Sequence, residues 1–296
     1  MKISVAPGKY ILAVSGGVDS MVLLDLLSNL PGVDLVVAHF NHGIRPDGGE
    51  DETLAASVAA AMGLPFEAAR GELGAGASEE TARRARYEFL NATRTKHGAG
   101  AIITAHHQDD LIETAIINLL RGTGRRGLSA ISNNKNVLRP LLNHSKKEII
   151  SYADENKLRW RDDPTNDNQD YLRNYVRHNL VSKMTAEQRR NFLEHMENVT
   201  KHGAKIDHEL PRLSLLLGRS GSIDRSKFSA LPAELGDEIL VHWLRQNGLL
   251  DFDKRTVNRL NVALRTAKSN SKHHVKEDLS LRIGRKTARF ERRPLR

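Results

Sequence analysis

The chain has 296 residues, 39% of them apolar and 27% charged, with a net charge of +9 at neutral pH; that length allows one large and one small domain, each with its own core. It holds no cysteine, which excludes disulfides, thiolate-bound zinc, Cys-ligated iron–sulfur clusters and any persulfide or thiol-nucleophile chemistry carried by this chain. No apolar run approaches the ~20 residues needed to span a bilayer, and the opening Met1-Lys2-Ile3-Ser4 has neither a signal h-region nor transit-peptide character, so a cytoplasmic protein with no membrane partner is expected.

The first 160 residues alternate between strand and helix patterns. Tyr10–Val14 is a short apolar run bounded by glycines and reads as a buried strand. Met21–Leu30 carries a helical apolar stripe closed by Pro31-Gly32. A second strand is expected over Asp34–Phe40, a second helix over Asp51–Met62, a weaker third strand over Leu64–Ala68 and a long helix over Glu79–His97. Ala101–Ala105 is a further strand, followed by a helix to about Leu120. Strands alternating with helices predict an α/β fold with a doubly wound parallel sheet.

From Ser145 the pattern turns helical. Ser145-Lys146-Lys147-Glu148 has the form of a capping box, opening a helix to about Asn156. Tyr171–Met184 reads as another helix, and Thr185-Ala186-Glu187-Gln188 caps a long one towards Lys205. Pro211 and the stretch 218–221 read as a linker. Beyond it come helices at Ala233–Asn247 and near Lys254–Ala267, then a hairpin over Leu279–Phe290. The expected division is a catalytic domain at 1–184, a helical linker at 185–212 and a small helical, α+β domain at 213–296. Residues 201–296 hold 21 Lys and Arg against 11 Asp and Glu, a basic surplus suited to gripping a polyanion.

In an open parallel sheet, ligands bind beyond the carboxyl ends of the strands. Three polar segments fall there: SGGVDS after the first strand, HFNHGIR on leaving the second and TAHHQDD on leaving the last. In Ser15-Gly16-Gly17-Val18-Asp19-Ser20 the glycines let the backbone turn tightly against an anion, and the next helix points its free N–H groups at it. The Ser15 and Ser20 hydroxyls can add donors. There is no Gly-Lys-Ser/Thr, so this is not a Walker A loop. His106, Asp110 and Glu113 are spaced by four and three residues and would share one helix face; aimed at a phosphate loop they could bind Mg²⁺, hold an ammonium group or relay protons. Arg83 and Arg86 share a face of the long helix, and one arginine there could reach the phosphates. His39, taken alone, reads as structural.

SGGVDS resembles the pyrophosphate loop of the PP-loop ATP pyrophosphatases, in which the loop holds the β- and γ-phosphates as a leaving group and AMP is transferred. HFNHGIR, ARRARYEFL, TAHHQDDLIET, LLRGTGRRGLSAI and RPLL follow in order, and together they resemble the tRNA(Ile)-lysidine synthetase family, in its short form, over roughly residues 8–180. That resemblance implies a carbon–nitrogen ligase that uses ATP and Mg²⁺. It adenylates the C2 carbonyl of the wobble cytidine of a tRNA(Ile) with a CAU anticodon, and free L-lysine then displaces AMP to give lysidine. It implies that Ser15 to Ser20 clamp the phosphates and that Arg86 lies on them. His106, Asp110 and Glu113 would serve ATP-Mg²⁺ and the lysine amine, with Asp110 on the metal. Arg173 and Arg177 would hold the target nucleotide, near a further segment Trp160-Arg161-Asp162-Asp163-Pro164-Thr165-Asn166. The basic C-terminal residues would bind tRNA; longer family members carry a further C-terminal domain for which this chain is too short. A sulfide-fed PP-loop tRNA thiolase is the alternative, and the oligomeric state is left open, a homodimer included.

Overall fold

The computed structural model describes every residue except 44–47, 73, 75–77, 129–135, 162–171, 219–220, 251, 277 and 293–296. Its strands and helices divide into two compact units, Met1–Ile117 with Ala130–Phe192, and Asn118–Ser129 with Leu193–Arg296.

The first unit is built on five parallel strands: β1 (Gly8–Ala13), β2 (Val33–Asn41), β3 (Phe66–Arg70), β4 (Ala101–Ile103) and β5 (Val137–Leu138), in the order β3-β2-β1-β4-β5. Successive strand residues face opposite sides of a sheet. Leu12, Leu35, Val37 and Ile103 accordingly pack on one face against α1 (Val18–Ser28), α2 (Gly48–Ala61) and α6 (Lys146–Glu155). Ile11, Val36, Ala38 and Ile102 pack on the other, against Leu90 of α3 (Glu79–Lys96). Both faces are covered, so the central runs Tyr10–Leu12, Leu35–Ala38 and Ala101–Ile103 are apolar and buried, as the doubly wound reading requires, while the edge strand β3 (FEAAR) stays partly exposed. After β4, α4 (Gln108–Leu120) leads to the short α5 (Arg125–Leu128); α7 (Leu172–Asn179) and a 3₁₀ turn at Val181–Lys183 come later. The expected helix over Tyr171–Met184 is thus split after Asn179, and Tyr171 lies outside the described residues.

Ser145 and Glu148 exchange the side-chain and backbone bonds of a capping box at the start of α6. Thr185 and Gln188 do the same ahead of α8 (Ala186–Leu217), each pair satisfying otherwise orphaned N–H groups.

The second unit has a four-stranded antiparallel sheet of β6 (Ser222–Asp224), β7 (Ser271–Lys276), β8 (Leu279–Ile283) and β9 (Thr287–Arg292), ordered β6-β9-β8-β7. It packs with α9 (Arg225–Ser229), α10 (Ala233–Gln246) and α11 (Lys254–Thr266) around Phe228, Leu240, Trp243, Leu260, Leu264 and Leu281. Where a linker is expected from Pro211 onward, the chain is still helical as far as Leu217, α8 running through the proline. A proline removes one helical N–H, but Leu210 and Leu217 on either side of it are buried in this core, and that packing carries the helix past the break. β7 (SKHHVK) is too polar to read as a strand; it is an edge strand with alternating exposure, where charged side chains are at home. Among the described residues no helix is long and apolar enough to cross a membrane.

Arg225 holds the second unit together by donating to three carbonyl oxygens, of Leu264 (2.9 Å), Ala267 (2.7 Å) and Gly284 (3.1 Å). Arg225→Ala should lower the stability of this unit by about 3 kcal/mol, because partly buried carbonyls lose their donors. The chain has two tryptophans, and Trp243 is buried in this core. Denaturant-induced change in Trp243 fluorescence, read in a Trp160→Phe background, checks this; an unshifted midpoint refutes it.

Candidate active site

The loop between β1 and α1 turns at Gly16, whose φ of +90° is open to glycine and costly for other residues. A Cβ there would also sit 3.3 Å from Cβ of Asp51. Gly17 is the N-cap of α1 and offers no side chain to the first-turn N–H groups, which leaves that helix end suited to an anion. The two serines are not equivalent. Ser20 is buried; its hydroxyl donates to Gly17 O (2.8 Å) and accepts from Ser15 N (3.2 Å). It therefore braces the loop from within, whereas the Ser15 hydroxyl lies at the exposed side.

The loop lines a cleft of about 1010 Å³ whose walls include His39, His42, Arg86, His106, His107, Asp109, Asp110, Glu113, Lys146 and Arg177. Asp19, at the start of α1, receives both oxygens' worth of hydrogen bonds from Lys146 Nζ (2.7 and 2.9 Å). His107 is 5% exposed, and its Nε2 lies 3.7 Å from Asp19 Oδ1 and 3.4 Å from Asp110 Oδ2. Asp110 Oδ2 also accepts the His107 backbone N–H at 3.0 Å, so one carboxylate both caps α4 and faces the cleft. Burial alone would raise the Asp110 carboxyl; the nearby His107 side chain, the His107 N–H and the Arg173 guanidinium outweigh it and hold the group below its usual range.

His106 precedes α4 and does not lie on it, yet it shares the cleft with Asp110 and Glu113. Its Nδ1 pairs with Thr104 Oγ1 at 2.8 Å. Burial drives its pKa down to about 3; the pull of Asp110 in the other direction is overcome with the help of Arg139, Arg86 and Arg83. The imidazole is neutral at physiological pH. His39 donates from Nδ1 to Val14 O at 2.9 Å, since a carbonyl can only accept, and so ties the end of β1 to β2. His42 is held below its usual pKa by burial and by Arg86 and His39. Ile44 and Arg45 of HFNHGIR, Asp162 to Asn166 of the later segment and residues 129–131 of LLRGTGRRGLSAI lie outside the described residues.

Glu113 is 0% exposed. Arg177 meets it with Nε on Oε1 (2.7 Å) and Nη2 on Oε2 (3.0 Å), and Arg173 approaches Oε2 with Nε at 3.4 Å while bonding Thr114 Oγ1 at 3.1 Å. Arg177 Nη2 also stands 3.7 Å from Asp110 Oδ1. Glu113 and the two arginines, read separately from sequence as an acid for the substrate and two bases for the nucleotide, are one charge-paired cluster. Arg161 ties the far side of the loop, donating from N to Gly16 O (3.0 Å), from Nε to Asp51 Oδ1 (2.9 Å) and from Nη1 to Glu50. Lys146 and His107 were not singled out in sequence. His107 sits inside a quoted motif, but Lys146 is 127 residues from Asp19 and carries no local signal.

Among the described residues no group of three or more His, Asp or Glu side chains is arranged to hold a metal. Mg²⁺, which uses one or two carboxylates together with phosphate oxygens and water, makes a smaller demand. Asp110, which lines the cleft, fits it, whereas both oxygens of Asp19 are taken by Lys146.

Residues 3–184 match the family described as PP-loop domain. The chain is 34% identical over 208 residues to a tRNA(Ile)-lysidine synthase of Chlorobaculum tepidum, covering 67% of this chain and 63% of that protein. It is 38% identical over 188 residues to one of Thermotoga maritima, covering 60% and 45%. The matched part therefore spans less than two thirds of the length of these curated relatives. Among solved structures, the U34-tRNA thiolase NcsA of Methanococcus maripaludis, with its 4Fe-4S cluster, superposes with a TM-score of 0.55 at 18% identity, over 66% of this chain and 72% of that one; at that identity the likeness is one of fold.

Two outcomes follow from the charges. Glu113→Gln should destabilise the first unit by about 3 kcal/mol, because two partly buried guanidinium groups lose their counter-charge; a denaturation midpoint equal to that of the unchanged chain refutes the pairing. His106 takes up a proton near pH 3 when folded but near 6.5 when unfolded. The unfolded chain thus binds the extra proton between these values, and the His106 contribution to stability is full above pH 6.5 and lost as pH falls towards 3. The His106 ring resonances should stay those of the neutral form from pH 8 to 5, which NMR can follow.

Proposed function

Because the chain belongs to the PP-loop family, its PP-loop domain spanning residues 3–184, we propose that it is an ATP-dependent tRNA(Ile)-lysidine synthetase that acts on the wobble cytidine of a CAU anticodon. The observation that supports this most directly is that residues of SGGVDS, HFNH, TAHHQDD and ARRARYEFL line one cleft of the first unit. It stands together with 34–38% identity, over the same part of the chain, to proteins named tRNA(Ile)-lysidine synthase.

In this reading the first-turn N–H groups of α1 and the loop from Ser15 to Ser20 receive the β- and γ-phosphates, and the loop is kept rigid by Ser20 so that no donor has to reorganise as charge develops on the leaving group. Arg86, which lines the same cleft, adds a guanidinium to the phosphates. Mg²⁺, held by Asp110, would neutralise phosphate charge. The cytidine C2 oxygen attacks the α-phosphorus, pyrophosphate departs, and the ε-amine of free lysine then displaces AMP at C2. The amine arrives as an ammonium. Asp110, held ionised, attracts it, and His106, held neutral, adds no charge to repel it; the ammonium must shed a proton before it attacks. Glu113 is committed to arginine, so its part is to fix Arg177 and Arg173 at the rim. Arg177 Nη1 remains for a phosphate or base of the tRNA. The basic residues beyond 200 supply the salt-sensitive share of tRNA affinity.

The product decides. Purified chain with ATP, Mg²⁺, free lysine and a tRNA(Ile) bearing CAU should yield lysidine at the wobble position, read by mass spectrometry of the digested tRNA. A thiolated nucleoside formed with sulfide, or no adduct at saturating lysine, would overturn the assignment.

A further inference from the structure

The phosphate loop contains no lysine or arginine, yet a leaving pyrophosphate needs cationic donors close to it. The fold brings one from elsewhere. Lys146 is the first residue of α6, fixed by the Ser145–Glu148 capping box at its start. Ile149 and Ala153 of the same helix are fully buried in the core shared with α1. A second tie runs one and a half turns further on, where Tyr152 Oη donates to Asp25 Oδ2 at 2.7 Å. These contacts set the two helices in register, and Lys146 Nζ arrives beside Asp19 in the loop itself.

An ammonium group has three N–H donors. Asp19 takes two of them, one on each oxygen, and the Lys146 side chain is 37% exposed and faces the cleft. Other cations around the loop are committed differently: Arg161 to Asp51 and Glu50, Arg177 to Glu113 and Arg189 to Asp109. Lys146 is bound to a residue of the phosphate loop and keeps a donor to spare.

We propose that Lys146 is the cation of the phosphate loop, binding the pyrophosphate end of the nucleotide through its third N–H and stabilising pyrophosphate as it leaves. This rests on the ATP-dependent adenylation reading above. As the acceptor oxygen bonds to the α-phosphorus, the bond from that phosphorus to the bridging oxygen breaks and its electron pair goes to pyrophosphate. Lys146 keeps its proton and donates a hydrogen bond to the group that gains the charge. Asp19 holds the ammonium in place and, by sharing its charge, keeps it from gripping pyrophosphate too tightly for release.

Calorimetric titration of the full chain with inorganic pyrophosphate and Mg²⁺, with AMP as the control ligand, tests this. Lys146→Gln should weaken pyrophosphate binding about tenfold, as expected for one charge-assisted hydrogen bond, and change AMP binding less than about twofold. Lys146→Arg should stay within about threefold of the unchanged chain. A lysine that merely neutralised Asp19 would also weaken pyrophosphate binding when removed, through the bared carboxylate, so the decisive comparison is made in an Asp19→Asn background. There the Lys146→Gln loss should persist at about tenfold; a loss that vanishes overturns the proposal. An Arg variant as weak as the Gln variant also overturns a charge-based role. If the unchanged chain binds neither ATP nor pyrophosphate, the adenylation reading itself fails and takes the proposal with it. Binding by the unchanged chain with no difference in Lys146→Gln sinks this inference alone.

Discussion

Parallel strands bring all their carboxyl ends to one edge of the sheet, and everything chemical in the first unit depends on that geometric fact. With β1 flanked by β2 and β4, the loops that follow these three strands meet over the middle of the sheet without any long-range design beyond strand order. SGGVDS, HFNH and TAHHQDD are 15 residues or more apart in sequence and line one cleft. The apolar faces of the sheet need only be covered, which α1, α2, α6 and α3 do.

What that edge gathers is chiefly acid: Asp19, Asp51, Asp109, Asp110 and Glu113 all come from residues before 117. Their counter-charges come later, from Lys146, Arg161, Arg173, Arg177 and Arg189. The stretch after β5 thus returns with the cations that answer these acids. Buried carboxylates left unanswered would protonate or unfold the site; answered, they hold a cleft whose groups keep fixed protonation states, an ionised Asp110 beside a neutral His106.

The features legible in the sequence are those with local or periodic signals. The apolar runs of β1 and β2, the capping boxes at Ser145 and Thr185 and the glycine turn before α1 all depend on neighbours within a few residues. The hairpin of β8 and β9 was equally plain. The pairing of Glu113 with Arg177, by contrast, joins residues 64 apart, and no spacing rule connects them; each end reads as a group free for substrate. Ser20 illustrates the same limit at short range, since a hydroxyl in a phosphate loop reads as a donor until its bond to Gly17 O is seen. Pro211 misleads in the other direction, because a local rule about helix interiors is overridden by the burial of Leu210 and Leu217.

Arg125 and Arg126 sit in a segment, Asn118–Ser129, that interrupts the first unit and belongs to the second. There they share Asp207 of α8 and Glu238 of α10, and Arg125 also reaches the Gly203 carbonyl at a point where a Cβ would come within 3.0 Å of its Nη1. The chain consequently passes between the units three times, at 117, 129 and 192. A protease cutting once near residue 192 would not release an intact second unit but would leave one of its pieces on the other fragment, attached by those guanidinium contacts. Each unit is thus a tenant in the other's stretch of sequence. Recombining such a protein with a foreign C-terminal module requires exchanging the arginine segment inside the first unit as well.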